Sequence, residues 1–214
     1  MKNQLSENGF VFMPSYQTNS TTEDVARALG RPLTPWIGGL VQNLVPRASA
    51  TPNTYSGIYG LNNFPFHTDL AHWPRPPRYL LLRCLIGCPE VATLLLDGHE
   101  IFTSQMRDVL TRAIFKPRRP LDGKISLFRL CEPVEEDYRF RWDDVFLRPA
   151  SPVGVIARER MQELLANASP LKIFLVNPGD VLLIDNWRML HARSLVPTHI
   201  IDRRIQRVYL EDLN

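Results

Sequence analysis

The sequence predicts a mainly β protein with peripheral helices, its strands arranged as a two-sheet jelly roll or barrel. Two observations carry that prediction. Apolar residues come in short runs divided by Pro, Gly and Asn, the pattern of many strands joined by turns rather than of a helix bundle. The 18 prolines, clustered at 74, 76 and 77 and at 117 and 120, forbid a continuous helix there and mark strand ends. A chain of 214 residues, 44% hydrophobic and 22% charged, is long enough to bury a substantial core without disulfides. Neither a repeat nor a linker nor a low-complexity tract divides it, so residues 1–214 read as a single domain.

Along the chain, short apolar runs predict strands at residues 10–13, 39–45, 54–59, 78–85, 92–96, 124–130, 171–176, 181–185 and 203–210. An acidic first turn, Thr21-Thr22-Glu23-Asp24, opens a helix through residues 25–29 that Gly30 closes. Residues 99–115 and 153–168 carry looser helical periodicity, the second behind the start signal Ser151-Pro152. The most polar stretch, 116–150, contains Lys116-Pro117-Arg118-Arg119 and Glu135-Glu136-Asp137 and reads as an insertion or flap.

Composition narrows the function classes. The three cysteines, Cys84, Cys88 and Cys131, include no C-x-x-C pair, which indicates neither a disulfide framework nor a zinc ribbon and suits a reducing compartment. The polar N-terminus lacks the layout of a signal peptide, and no apolar run reaches the length of a membrane span, so a cytoplasmic protein without membrane association is expected. A net charge of +3 with no stacking platform beside Lys116, Arg118, Arg119, Arg139 or Arg141 argues against nucleic acid.

The chemically suggestive stretch is Phe64-Pro65-Phe66-His67-Thr68-Asp69. In extended chain, residues i and i+2 share a face, so His67 and Asp69 can address one cation. Alone, such a short pattern equally fits ordinary hydrogen bonding at a strand end. Farther on, a turn, a buried strand and a second turn, residues 177–191, deliver His191, and Arg203 and Arg207 follow. Their spacing of four puts both guanidinium groups on one side of a strand. Two histidines and a carboxylate leave three faces of an octahedral ion open, the ligand set that suits non-haem Fe(II) oxygen chemistry.

Three blocks, in this order and spacing, carry a resemblance: F-x-F-H-T-D at 64–69 with W-P-x-P-P-R-Y at 73–79, G-D-V-L-L-I-D-N-x-x-x-L-H at 179–191, and R-R-I-Q-R-x-Y at 203–209. The chain resembles the taurine dioxygenase family of Fe(II)/2-oxoglutarate-dependent dioxygenases, in the clavaminate synthase-like superfamily, over residues 9–209. The resemblance implies a double-stranded β-helix, the cupin-like jelly roll. It implies His67, Asp69 and His191 as iron ligands and as the catalytic centre, with Fe(II), 2-oxoglutarate and O2 as cofactor and cosubstrates. It implies Arg203 as the partner of the distal cosubstrate carboxylate and Arg207 near the other end. Thr93, in Val91-Ala92-Thr93-Leu94, falls where the family places a hydroxyl near the cosubstrate, and Asn63 matches a position near cosubstrate and substrate.

A guanidinium suits that role because it is a planar, permanently charged, bidentate fork. Iron(II) with two neutral imidazoles and one carboxylate keeps +1, the dianion brings the site to −1, and one arginine neutralises it. The second arginine leaves a positive excess that suits an anionic substrate. The presence of Asp69 favours hydroxylation of an unactivated C–H in a small-molecule metabolite, with release of succinate and CO2. The chain is short for the family, which implies little lid: an open site for a larger or carrier-bound substrate, or one completed by a partner subunit. Substrate identity and oligomeric state are not legible.

Blander readings stand beside these. His67, Asp69 and His72 fit a purely local zinc site, Arg203 and Arg207 a surface ion-pair network, Thr93 a strand residue and Asn63 a turn residue. Asp185-Asn186 reads as a turn that positions His191 or as a contact behind the ligands, not as a metal ligand, and Trp73 and Trp187 read as walls of a substrate site or, more commonly for buried aromatics, as core. His99 and His199 are assigned no role. The rival functions are a catalytically silent jelly-roll binding protein and a cupin-like metal enzyme that does not use 2-oxoglutarate.

Overall fold

The structure, a computed structural model, describes residues 1–35, 38–101, 103–134 and 137–214. In chain order its elements are α1 (Lys2–Asn8), β1 (Phe10–Met13), α2 (Thr22–Leu29), β2 (Gly30–Leu33), β3 (Gln42–Leu44), α3 (Tyr55–Tyr59) and β4 (Phe64–His67). There follow β5 (Tyr79–Ile86), β6 (Ala92–Asp97), α4 (Gly98–Ile101), α5 (Ser104–Arg112), β7 (Ile114–Pro117), β8 (Phe128–Arg129), β9 (Cys131–Val134) and β10 (Asp137–Phe140). The chain ends with β11 (Leu147–Pro149), α6 (Pro152–Ala166), β12 (Leu171–Phe174), β13 (Val181–Asp185), β14 (Met189–Arg193) and β15 (Arg204–Leu213).

Two antiparallel sheets face each other. The larger runs β1-β13-β5-β15-β2 with β3 also on β15, and the smaller runs β12-β6-β14-β4. Leu80, Leu82, Leu182, Ile184, Ile205 and Tyr209 of the larger sheet meet Leu95, Ile173 and Met189 of the smaller one in a shared core. Fully burying one such aliphatic side chain stabilises the fold by about 1.5–3 kcal/mol. Helices α1 and α2 cover the outer face of the larger sheet through Leu5, Val25, Ala26 and Leu29. This is the mainly β jelly roll with peripheral helices that the apolar runs predict.

The strands at 10–13 and 181–185 lie where predicted, and those at 78–85, 92–96, 171–176 and 203–210 shift by a few residues at their ends. The segment 39–45 pairs only over Gln42–Leu44, and 124–130 only over Phe128–Arg129. Residues 54–59, predicted as a strand, form the helical turn α3 instead. The Thr54 side chain accepts from the Gly57 amide, an N-cap that wins over the apparent alternation. The predicted helix at 99–115 breaks into α4 and α5 and gives way to β7. Helix α6 starts as its signal requires, with Ser151 accepting from the Gly154 amide.

The reading of 116–150 as an insertion or flap is overturned. This segment supplies Phe128, Leu130, Phe140, Trp142 and Leu147 to a second core that α5 and α6 close. Its polar residues misled because several are buried: Arg141, 1% exposed, pairs with Glu132 and donates to the carbonyls of Ala71 and Trp73. It thereby holds the loop that follows Asp69. Glu135 and Glu136 of the predicted acidic run lie outside the described residues. Among the described residues, no helix is long and apolar enough to cross a membrane, and Cys84, Cys88 and Cys131 are free and buried.

Candidate metal centre

Strands β4 and β14 are antiparallel neighbours with His67 directly opposite His191, so register alone puts both imidazoles on the inner face of the smaller sheet. Their ring centroids are 4.3 Å apart. Asp69, two residues beyond the end of β4, turns back to meet them. Its Oδ1 is 3.3 Å from His67 Nε2 and its Oδ2 is 3.8 Å from His191 Nε2. One donor atom from each of the three lies within 4.8 Å of the others, and all three residues are buried. This group contains His191 and not His72, whose ring packs on Phe146 instead.

The backbone around Asp69 is fixed from outside the site. Asn186, 1% exposed, accepts from the Asp69 amide at 2.7 Å and donates to the Asp69 carbonyl at 3.0 Å and the Pro77 carbonyl at 2.9 Å. Thr68, between the two donor residues, is locked away by paired bonds with the Trp142 backbone. The predicted turn at Asp185-Asn186 therefore positions Asp69 directly.

The surroundings of the two histidines set how each presents its ring nitrogens. His67 Nδ1 lies 3.0 Å from the Pro65 carbonyl, which can only accept, so the proton sits on Nδ1 and the Nε2 lone pair faces Asp69. Burial, reinforced by the neighbouring His67, pulls the pKa of His191 down to about 3. Burial opposes ionisation of Asp69, yet the Arg207 guanidinium holds its carboxyl well below the usual carboxylate range. The Tyr209 hydroxyl is hydrogen-bonded to Asp69, and burial followed by that negative charge raises the phenol's pKa well above its ordinary value.

The two predicted arginines diverge. Arg207 faces inward between Ile205 and Tyr209, its Nη1 3.1 and 3.3 Å from the Asp69 oxygens and its Nε and Nη2 on Gln42 Oε1. Arg203 precedes β15 and is 7% exposed. Its Nε is buried without a hydrogen-bond partner among the described residues, and burial lowers its pKa against the opposing pull of Cys84 and Cys88. Thr93, 6% exposed, is opposite Arg193 and two pairs along from His191 and Leu95, so it shares the inner face with the histidines. Asn63 is exposed and accepts from the Leu195 amide at 2.6 Å, an arrangement that ties down a turn. His99 and His199 make surface pairs with Asp137 and Glu90.

Sequence reasoning passed over Gln42, Tyr55, Asp143 and Tyr209. Tyr209 had a legible signal, two residues after Arg207 in an inward-facing alternation. Tyr55 and Asp143 had none, since one lay in a predicted strand and the other in a predicted flap.

The comparisons with known proteins bear on this geometry. The model of the family described as taurine catabolism dioxygenase TauD, TfdA family matches residues 1–107, the half that contains His67, Asp69 and Thr93. Clavaminate synthase 2 of Streptomyces clavuligerus is 28% identical over 160 residues, 68% of this chain and 49% of that protein, so the chain spans about half the length of this relative. The fold matches asparagine oxygenase in complex with Fe(II), hydroxyasparagine and succinate (TM-score 0.68, 17% identity, 98% of this chain and 76% of that one). It also matches the non-haem iron oxygenase OrfP in complex with Fe and alpha-ketoglutaric acid (TM-score 0.72, 18% identity, 99% and 78%). PvcB from Pseudomonas aeruginosa shares it as well (TM-score 0.68, 17% identity, 98% and 78%). With its first half matched by the family model and the full fold shared with such oxygenases, the chain belongs to the taurine catabolism dioxygenase TauD, TfdA family.

Proposed function

We propose that the chain is an Fe(II)- and 2-oxoglutarate-dependent dioxygenase that hydroxylates an unactivated C–H of a small-molecule metabolite, with release of succinate and CO2. The observation that carries the reading is the buried group His67, Asp69 and His191, whose donor atoms lie within 4.8 Å of one another. Two imidazoles, that of His191 kept neutral by burial, and one carboxylate held ionised are the donor set an open, octahedral Fe(II) site calls for. Iron bound there with 2-oxoglutarate supplies the activation of O2 and the oxidising power.

The chain's own residues prepare that site. The Pro65 carbonyl fixes the tautomer of His67, Asn186 fixes the backbone of Asp69, and Arg207 with Tyr209 keeps the Asp69 carboxylate charged and aimed. The unpartnered, buried Nε of Arg203 suits a dicarboxylate, because a buried guanidinium without a counter-charge is costly until an anion answers it. Thr93 on the same inner face offers a hydroxyl to such an anion. The relatives support the same reading: asparagine oxygenase is seen with a hydroxylated amino acid and succinate, and OrfP with Fe and alpha-ketoglutaric acid.

Arg203→Ala tests the cosubstrate half of the proposal. Iron binding should persist while 2-oxoglutarate affinity falls by about 10²-fold or more, the loss expected for a buried charge-assisted contact. Unchanged 2-oxoglutarate binding would favour a metal enzyme of the same fold that does not use this cosubstrate.

A further inference from the structure

Helix α3 lies over the His67 side of the site. Tyr55, its first residue, sets its ring 5.4 Å from the His67 ring, 4.7 Å from Phe64 and, edge-on, 4.6 Å from Phe146. Its hydroxyl donates to Asp143 Oδ2. The other oxygen of Asp143 accepts from the amides of Val145 and Phe146 at 2.8 and 2.7 Å. One carboxylate thus holds both the turn that carries Phe146 and the helix that carries Tyr55. The segment is tied at each end as well. Arg118, stacked over Phe146, donates to the Asn53 carbonyl at 2.9 Å, and Arg193, two residues after His191, donates to the carbonyls of Gly60 and Asn62 at 3.0 Å each. The phenol is near enough to Asp69 and Arg207 to interact with both charges.

We propose that Tyr55 is a specificity-determining residue: latched to Asp143, its ring closes the His67 side of the site and sets the width of the space a substrate enters. The inference rests on the function proposed above. With Phe64 and Phe146 it makes a wall of aromatic rings, so the part of the substrate that packs on those rings is apolar. The chain builds this wall from its own α3, and no partner subunit is required for it.

Two variants separate latch from wall. Tyr55→Phe keeps the ring and removes only the hydroxyl donor, and Tyr55→Ala removes the wall. In the metal-free protein, Tyr55→Phe should speed amide hydrogen exchange at residues 53–60 by about tenfold, the effect of one lost hydrogen bond. Exchange at the parent's rate overturns the latch, and this arm needs no iron. In the Fe(II)-loaded protein, the probes are a small chelator, acetohydroxamate, and a bulky one, ferrozine. The parent should lose iron far faster to the small chelator. Tyr55→Ala should narrow that ratio by about tenfold or more, with Tyr55→Phe between. A general loosening would raise both rates and leave the ratio unchanged, which overturns the wall. A parent that binds no iron counts against the proposed function instead, and the exchange arm still decides the latch.

Discussion

Arg207 places one guanidinium nitrogen 3.1 and 3.3 Å from the two carboxylate oxygens of Asp69, so the residue proposed as the anionic metal ligand already has a cationic partner inside the fold. Asp69 keeps 5% of its side-chain surface and Arg207 21%, which leaves little water to replace either charge. Breaking a buried pair of this kind costs about 3–5 kcal/mol. Arg207→Leu should therefore lower the unfolding free energy of the metal-free protein by that amount, as urea denaturation measures it. Added Fe(II) should restore part of the loss, because a metal supplies the positive charge the variant lacks. A variant as stable as the parent without metal would contradict the pairing.

Asn186→Ala should act on the metal through the backbone. The change strips the Asp69 amide of its buried acceptor and two carbonyls of their donor, at a cost of about 2–4 kcal/mol. Metal affinity should fall about 10–100-fold, since Asp69 loses the anchor that aims it. Asn63→Ala, which frees only an exposed turn amide, should leave affinity unchanged. Equal effects from the two would dismiss the clamp.

Glu132 gives a dependence on pH away from the site. Burial works against its charge, but Arg141 and Arg139 hold its carboxyl below the ordinary value. Stability from a depressed carboxyl is full above the unfolded pKa of about 4.3 and is lost as pH falls through the lower folded value. The parent should thus weaken on acidification below about pH 4. Glu132→Gln should lose about 3 kcal/mol near pH 7 and show a shallower acid decline, the low end of the range applying because Glu132 keeps 28% of its side-chain surface. Parallel pH curves for the two proteins would refute the assignment.

His72→Gln separates the long-range centre from the local one. With His191 and not His72 in the donor group, the substitution should leave Fe(II) affinity within about twofold of the parent. Loss of binding would revive the three-residue site at 67, 69 and 72.

How much of this was legible is clearest residue by residue. Strand β13 was read because a central strand, buried on both faces, appears as an unbroken apolar run, and β1 because its four apolar residues follow a glycine. His67 and Asp69 were paired by their spacing, His191 joined them through the family resemblance of the three blocks, and antiparallel register brings the histidines opposite each other. Helix α3 was misread because a capping threonine and a glycine weigh more over five residues than alternation does. The segment 116–150 was misread because buried ion pairs such as Arg141 with Glu132 look, in sequence, like a solvated surface. The Arg207–Asp69 and Tyr55–Asp143 contacts span too many residues for any local pattern to announce.

The central claim is that His67, Asp69 and His191 hold iron in a form that accepts 2-oxoglutarate. The most direct measurement is an anaerobic titration of the metal-free protein with Fe(II) and then 2-oxoglutarate, run beside His191→Ala. The account predicts a weak visible charge-transfer band of the chelate that saturates in the parent and is absent from the variant. A parent that binds Fe(II) without developing the band, or a band that survives in His191→Ala, would contradict it.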